Sequence, residues 1–419
     1  MKESVAERIR EHLSARRTEM AEFLTRLVEA ESPTVDPASQ QGPQQVLTDR
    51  LESLGFRVRH YPGETSGGTL LARPARRVRG GPIQLLIGHS DTVWPSGTIA
   101  DMPARLEGGR LYGPGSFDMK GGLVEILYAA ETLRALDLSP TVTPVVLVNS
   151  DEETGSRDSW RLIERLARIA DRAFVLEPAL GPEGRLKTAR KGNGQFLLRV
   201  LGRAAHAGLE PEKGASAILE LSLCIQQLFE LNDPDRGITV NVGTIDGGLR
   251  TNVVAPTSEA TIDVRILHAS DAPRVEWAIR SLRARTPGTR LEITGGINRL
   301  PMERTRRNRR LWHSARRSAD QLGLEIEEGV SGGGSDGNIT SLYCATLDGL
   351  GPVGDGAHAV HEHVLVDSLP DRAALLAMLL LEPSAGRDEP GDAELELSDV
   401  IPVFATAGPG LTGGGPTAT

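Results

Sequence analysis

Short apolar strands alternate with helical segments along this 419-residue chain, and this alternation restricts the possible folds most strongly. Buried strands are predicted at residues 83–87 and 142–148, and helices at residues 120–136 and 156–170. Strands that alternate with helices favour an α/β fold with a mostly parallel sheet. We therefore expect a sheet with helices packed against it.

The pattern changes between residues 195 and 302, where four strands and two helices follow one another closely. This arrangement is typical of an antiparallel sheet with helices on one face. The α/β pattern then resumes. We therefore predict a first domain in two parts, residues 1–194 and 303–383, with a small α+β domain inserted at residues 195–302.

Composition excludes several classes of protein. Lys and Arg number 47 against 56 Asp and Glu, and this acidic balance argues against a nucleic-acid partner. The longest apolar run, residues 373–381, is too short to cross a membrane, and the N-terminus lacks the apolar core of a signal peptide. A cytoplasmic location is the expectation. Residues 384–419 are rich in Gly, Pro and acidic residues and are predicted to form a disordered tail.

Carboxylates and histidines follow the predicted strands, where ligands of open α/β sheets bind. His89 and Asp91 come directly after residues 83–87, and the acidic run 151–153 comes after residues 142–148. Glu177 follows a further short strand. Each signal has an ordinary alternative: a chance His-x-Asp pair, or an exposed acidic turn.

Two further segments carry candidate ligands. Asp118 lies in the glycine-rich stretch 113–122, where capping a helix is the alternative role. Residues 354–363 hold His358, His361 and His363, for which a solvated loop is the alternative. Taken together, the histidines and carboxylates predict a two-metal site with nitrogen and oxygen ligands. Such ligands suit two Zn²⁺ ions, and Co²⁺ or Mn²⁺ less selectively.

The motifs also occur in a known family. Gly-His-x-Asp-Thr-Val, Gly-Pro-Gly-x-x-Asp-Met-Lys-Gly-Gly, Asp-Glu-Glu-x-Gly-Ser and Ala-Ala-His-Ala-Gly stand here in the order found in the M20 metallopeptidases. The chain resembles that family over about residues 13–381, and most closely its glutamate carboxypeptidase branch. The resemblance implies a zinc-peptidase-like three-layer catalytic domain, with the inserted domain as a ferredoxin-like lid and dimerisation domain.

The resemblance also implies roles for individual residues. Asp91 would orient a histidine, and Glu152 would act as general base and then as general acid. Glu177 rather than Asp at its position favours a substrate with a free carboxylate beside the scissile amide. By this resemblance, one metal ion would be held by His89 and Glu177, and the other by Glu153 and His358. Asp118 would bind both ions.

Substrate contacts are implied mainly in the lid. His206 would stabilise the oxyanion in the site of a neighbouring subunit, Asn252 would make a second polar contact, and Arg265 would bind the substrate carboxylate. Gly333 lies in the family's glycine-rich substrate loop. The implied partners are a small N-acyl amino acid or peptide substrate and a second copy of the chain, paired through the lid.

The reading from sequence is therefore a metal-dependent amide or peptide hydrolase. Two alternatives stay open. One is a deacylase or peptidase of a specialised metabolite or precursor peptide, recruited by the tail. The other is an inactive relic that binds metal and carboxylates. His361 stands where the family more often has Asp or Asn, and it leaves a second candidate ligand beside the favoured His358.

Overall fold

Two β-sheets of different character position the predicted site. This computed structural model describes residues 3–78 and 80–384. The strands are β1 (Phe56–Tyr61), β2 (Thr69–Pro74), β3 (Ile83–His89), β4 (Arg105–Glu107), β5 (Arg110–Tyr112), β6 (Thr143–Asn149), β7 (Arg172–Val175), β8 (Leu186–Arg190), β9 (Gly192–Leu201), β10 (Thr239–Gly247), β11 (Thr257–Ile266), β12 (Arg290–Arg299), β13 (Glu328–Ser331), β14 (Ala345–Leu347), β15 (Gly354–Asp355) and β16 (His363–Leu365). The helices are α1 (Val5–Ser14), α2 (Arg17–Glu29), α3 (Gln41–Ser53), α4 (Thr98–Asp101), α5 (Gly121–Ala135), α6 (Trp160–Ala167), α7 (Ala217–Phe229), α8 (Ala272–Arg280), α9 (Arg306–Leu322), α10 (Asp336–Thr340) and α11 (Ser368–Leu381).

The first sheet has the strand order β1-β2-β6-β3-β7-β14. Its central strand β3 pairs in parallel with β6 and with β7, and β7 pairs in parallel with β14. Strands β1 and β2 form an antiparallel edge. The expectation of an α/β fold with a mostly parallel sheet is confirmed.

Helices cover both faces of this sheet. Apolar residues of α1, α2, α5, α9 and α11 form one buried cluster with one face, and residues of α6 and α10 form another with the opposite face. Consecutive residues of β3, such as Leu85, Leu86 and Ile87, are therefore all buried. The result is the three-layer arrangement that the resemblance implied.

The second sheet is antiparallel, with the order β10-β11-β9-β12. Along β11, buried and partly exposed residues alternate, because α7 and α8 cover one face only. The opposite face carries Arg265. Both sheets lie in one compact unit, so the boundaries at residues 194 and 302 stay a prediction.

Helix α6 is shorter than the predicted helix 156–170. Residues 151–159 instead turn around the side chain of Asp151, whose Oδ2 accepts hydrogen bonds from the backbone N–H groups of Asp158 (2.7 Å) and Ser159 (3.2 Å). These bonds compete with a helical start. The acidic run therefore sits in a fixed loop before α6.

A small sheet of order β15-β16-β5-β4 brings the histidines of residues 354–363 to the first sheet. Strand β16 pairs antiparallel with β5, where Val364 lies opposite Leu111. The loop after β5 contains Asp118, and the loop before β16 contains His358. This pairing places the two loops side by side.

No helix within residues 3–78 and 80–384 is long and apolar enough to cross a membrane. The cytoplasmic location stays a prediction. Apart from Ser384, the predicted tail 384–419 lies outside the described residues.

Candidate metal centre

Three neighbouring strands of the first sheet deliver candidate ligands to one edge. His89 is the last residue of β3, Glu152 and Glu153 lie in a single helical turn after β6, and Glu177 follows β7 by two residues. Because β3, β6 and β7 are parallel, their carboxyl ends meet at the same edge of the sheet. Side chains far apart in sequence therefore meet there.

Asp118 lies between two histidines. Its Oδ1 is 3.3 Å from His89 Nε2, and its Oδ2 is 3.4 Å from His358 Nε2. Asp118 does not cap α5, since the N-cap position is taken by Lys120 and the backbone of Asp118 is not helical. Its carboxylate is thus available to two positive or metallic partners at once.

One further carboxylate flanks each histidine. Glu177 Oε1 is 3.5 Å from His89 Nε2, and Glu153 Oε2 is 3.4 Å from His358 Nε2. Donor atoms of His89, Asp118 and Glu153 all lie within 4.8 Å of one another, as do those of His89, Glu152 and Glu177. The histidine-and-carboxylate set has the composition of a zinc site.

Unsatisfied atoms support a cation at this place. Within the described part of the chain, Asp118 Oδ1 and Glu153 Oε1 are buried and have no hydrogen-bond partner. A buried carboxylate oxygen without a partner is costly. Divalent cations would satisfy these oxygens, so the residues present fit a metal centre.

Asp91 connects two parts of the site. His89 Nδ1 lies 2.9 Å from the backbone oxygen of Asp91 and 3.4 Å from its Oδ1. Asp91 Oδ2 also accepts hydrogen bonds from Thr34 Oγ1 (2.8 Å) and from the backbone N–H of Glu153 (3.2 Å). Asp91 therefore fixes the ring of His89 and holds the loop of Glu153 beside it.

The electrostatics of the cluster favour added positive charge. Burial alone would lower the pKa of His89, but close contacts with Asp118, Asp91 and Glu177 raise it well above 6.5. Contacts with Asp118 and then Glu153 raise the pKa of His358 to about 10. Surrounding carboxylates thus draw protons onto both rings, at the place where cations would bind.

Residues 85–382 match the profile of the peptidase family M20/M25/M40. The chain belongs to this family. Carboxypeptidase G2 from Pseudomonas is 28% identical over 372 residues, which cover 87% of this chain and 89% of that protein. A succinyl-diaminopimelate desuccinylase from Stenotrophomonas maltophilia is 29% identical over 360 residues, covering 80% and 92%.

The solved structures agree on the fold. A tripeptidase from Staphylococcus aureus superposes with a TM-score of 0.74 at 22% identity, covering 87% of this chain and 98% of that one. The family and its named relatives identify this chain as an enzyme, a metal-dependent hydrolase of amide or peptide bonds. The resemblance noted in the sequence is confirmed.

In this M20 chain, Glu152 has a charged partner that the sequence did not indicate. Arg299, the last residue of β12, donates from Nη1 to Glu152 Oε1 at 2.9 Å and from Nη2 to Ser156 Oγ at 2.7 Å. Burial raises the pKa of Glu152 to about 8 against the opposing charge of Arg299. The second sheet thus contacts the predicted general base directly.

Arg190 is a second buried arginine that contacts a predicted residue of the M20 site, in this case Glu177. Its guanidinium is buried and donates to Glu177 Oε2 (3.3 Å), to both carboxylate oxygens of Asp348 and to the backbone oxygens of Gly333 (3.2 Å) and Gly334 (3.1 Å). Arg190 therefore joins a predicted metal ligand to the predicted substrate loop. No sequence motif singled it out.

The substrate residues predicted between residues 195 and 302 lie outside the ligand cluster: His206 and Asn252 in loops, and Arg265 on β11. His206 Nδ1 accepts hydrogen bonds from the backbone of Gly208 and Leu209, and the backbone oxygen of Asn252 accepts one from Ala207, so the two residues are neighbours. Arg265 pairs with Asp263 through Nε–Oδ2 at 2.8 Å.

His361, the second candidate ligand near His358, points elsewhere. Its Nε2 is 3.9 Å from Asp355 Oδ2, and its side chain is exposed. His358 contacts Asp118 and Glu153 instead. The geometry thus favours His358 as the ligand.

Proposed function

We propose that this chain hydrolyses an amide or peptide bond next to a free carboxylate, as a carboxypeptidase or an N-acyl-amino-acid deacylase. The observation that carries the proposal is the position of Asp118 between His89 and His358, with one more carboxylate beside each ring. An inactive relic would lack part of this constellation, and every residue of it is present.

Two cations would share the site. His89 and Glu177 would hold one, Glu153 and His358 the other, and Asp118 both. Imidazole and carboxylate ligands suit Zn²⁺ best, while Co²⁺ and Mn²⁺ also accept them. When bound, such cations polarise the scissile carbonyl and lower the pKa of a water to about 7.

Glu152 is the proposed general base. It lies on the same turn as Glu153, so its carboxylate can take a proton from the attacking water and return it to the leaving amine. The ion pair with Arg299 holds this carboxylate in one orientation at the cluster. A base that is already oriented loses little entropy on the way to the transition state.

The free carboxylate of the substrate would bind to Arg265. This side chain lies on the open face of the second sheet, and a guanidinium binds a carboxylate through two parallel hydrogen bonds. His206 and Asn252 would contact the scissile group, and Gly333 would border the substrate. The names of the relatives, a carboxypeptidase and a desuccinylase, support a substrate with a carboxylate.

We also propose a homodimer that forms through the second sheet. Strand β10 is an edge strand, and an unpaired edge is a template for another strand. Exposed apolar residues lie on this strand (Ile245), just after it (Leu249) and on the neighbouring α7 (Ile218, Leu219 and Phe229). A second copy would cover this surface and bring its His206 towards the partner's site.

Replacing Asp118 tests the metal centre. Asp118→Asn keeps the size of the side chain but removes the charge that both cations would share. We expect zinc-loaded wild-type protein to contain about two metal ions per chain and the variant at most about one. Elemental analysis after gel filtration measures this. Wild-type protein without bound metal would contradict the proposal.

A further inference from the structure

Glu362 is a fully buried carboxylate that no predicted role includes. Its Oε1 accepts hydrogen bonds from the backbone N–H groups of Phe117 and Asp118, both at 3.0 Å. Its Oε2 accepts from the backbone N–H of Gly115 at 2.9 Å and from Trp94 Nε1 at 2.8 Å. Four donors therefore converge on one side chain.

These donors come from separate loops of the metal centre. Trp94 follows His89 and Asp91 in the loop after β3, and Gly115, Phe117 and Asp118 form the loop after β5. Glu362 itself comes four residues after His358. One carboxylate thus ties together the segments that carry both histidines and the carboxylate between them.

The loop around Asp118 makes backbone hydrogen bonds of its own, from Ser116 to Gly113 (3.1 Å) and from Lys120 to Gly115 (2.9 Å), but the N–H groups of Phe117 and Asp118 bond to Glu362. The backbone of Asp118 is not helical, and Gly115 before it is left-handed with φ of 72°. The N–H groups of Phe117 and Asp118 would be buried without partners if Glu362 were absent. Charge-assisted hydrogen bonds are short and directional, so the carboxylate fixes the position and orientation of the backbone at Asp118.

We propose that Glu362 is a positioning residue that holds Asp118 between His89 and His358 and so sets the affinity of the centre for its cations. The inference rests on the metal centre proposed above. Residues that orient metal ligands change metal affinity by about 10- to 100-fold when they are replaced. Glu362 acts on the ligands through the backbone and needs no contact with a cation.

Glu362→Gln is the test. Glutamine keeps the shape, but its NH₂ group would face two N–H donors in place of an accepting oxygen. We expect the affinity for Zn²⁺, measured by competition with a chromophoric chelator, to fall by about 10-fold or more. The visible spectrum of the Co²⁺-loaded variant would also change, because the ligand geometry shifts.

Glu220→Gln is the matched control. Glu220 is also fully buried and accepts backbone hydrogen bonds, from Arg285 at 3.0 Å and from Thr286, but it lies against the second sheet. This variant should lose stability and keep wild-type Zn²⁺ affinity. A loss of affinity in Glu362→Gln alone separates positioning from general destabilisation.

Trp94→Phe decides the question if Glu362→Gln does not fold. It removes only the indole hydrogen bond, and we expect a Zn²⁺ affinity about 3-fold weaker, with an altered Co²⁺ spectrum. Wild-type Zn²⁺ affinity and an unchanged Co²⁺ spectrum in the folded variant would overturn the inference. Wild-type protein that binds no metal would instead contradict the proposed function beneath it.

Discussion

At the scale of single residues, the ion pair between Glu152 and Arg299 joins positions that are 147 residues apart in sequence. Both side chains are largely buried, and Arg299 also contacts Ser156 and Asp336. Removing one partner of a buried ion pair leaves the other charge without compensation. This pair should therefore contribute to both stability and catalysis.

Arg299→Gln should lower the free energy of unfolding by about 3 kcal/mol, because Glu152 and Asp336 lose their cation. It should also lower kcat and change KM much less, because Glu152 is no longer held in the orientation that a general base needs. Arg299→Lys should keep part of the stability and part of the kcat, because a single ammonium group cannot reach Glu152 and Ser156 together. Urea unfolding and steady-state kinetics measure these effects.

The control is Arg290→Gln at the opposite end of β12, where the side chain is 69% exposed. Its unfolding free energy should stay within about 0.5 kcal/mol of the wild type. Equal stability of Arg299→Gln and the wild type would contradict this account.

The sequence predicted the candidate metal ligands that the fold brings together, but not the arginines that contact the site. His89, Asp118 and Glu153 stand in motifs that each had an ordinary alternative, and their roles as ligands came from the resemblance to the M20 family. Arg190 and Arg299 act through contacts with distant segments, and an isolated arginine carries no local pattern that indicates such a contact. Only the folded arrangement, which brings β8 and β12 against the ligand loops, reveals these partners.

At the scale of elements, the alternation of strands and helices predicted the central strands because they are short, apolar and buried on both faces. Strand β2 was not predicted. Its buried residues Thr69, Leu70, Leu71 and Ala72 show no alternation, and only antiparallel pairing with β1 and β6 makes them a strand. Tertiary pairing decides such segments.

Glu220 on helix α7 should make the stability of the protein depend on pH. Burial alone would raise the pKa of Glu220, but hydrogen bonds from the N–H groups of Arg285 and Thr286 hold it below its usual range. A carboxyl group with a lowered pKa in the folded state stabilises the protein above its unfolded pKa of about 4.3. This stabilisation is lost as the pH falls through the lower, folded-state pKa.

The wild type should therefore be more stable than Glu220→Gln at about pH 6, and the difference should shrink towards about pH 3. Urea unfolding of both proteins at several pH values measures this. A stability difference that stays constant over the whole range would show that the charge of Glu220 is not involved.

At the scale of the whole molecule, the edge strand β10 should determine assembly. Ile245 is 63% exposed on this strand, and Ile245→Lys would place two like charges in the proposed interface. We expect a dimer for the wild type and a monomer for the variant in sedimentation velocity.

Trp277→Lys is the control, because Trp277 is 71% exposed on α8, away from β10. It should remain dimeric. A monomeric wild type, or a dimer that survives Ile245→Lys, would contradict the proposed assembly.

The most direct measurement is the release of amine from a panel of N-acyl amino acids and dipeptides by zinc-loaded protein, with Glu152→Gln alongside. The account predicts hydrolysis of compounds with a free carboxylate beside the scissile bond. It predicts a loss of about 100-fold or more in the variant, which should keep its metal. Equal hydrolysis of carboxylate and amide-capped substrates, or full activity without the Glu152 carboxylate, would contradict it.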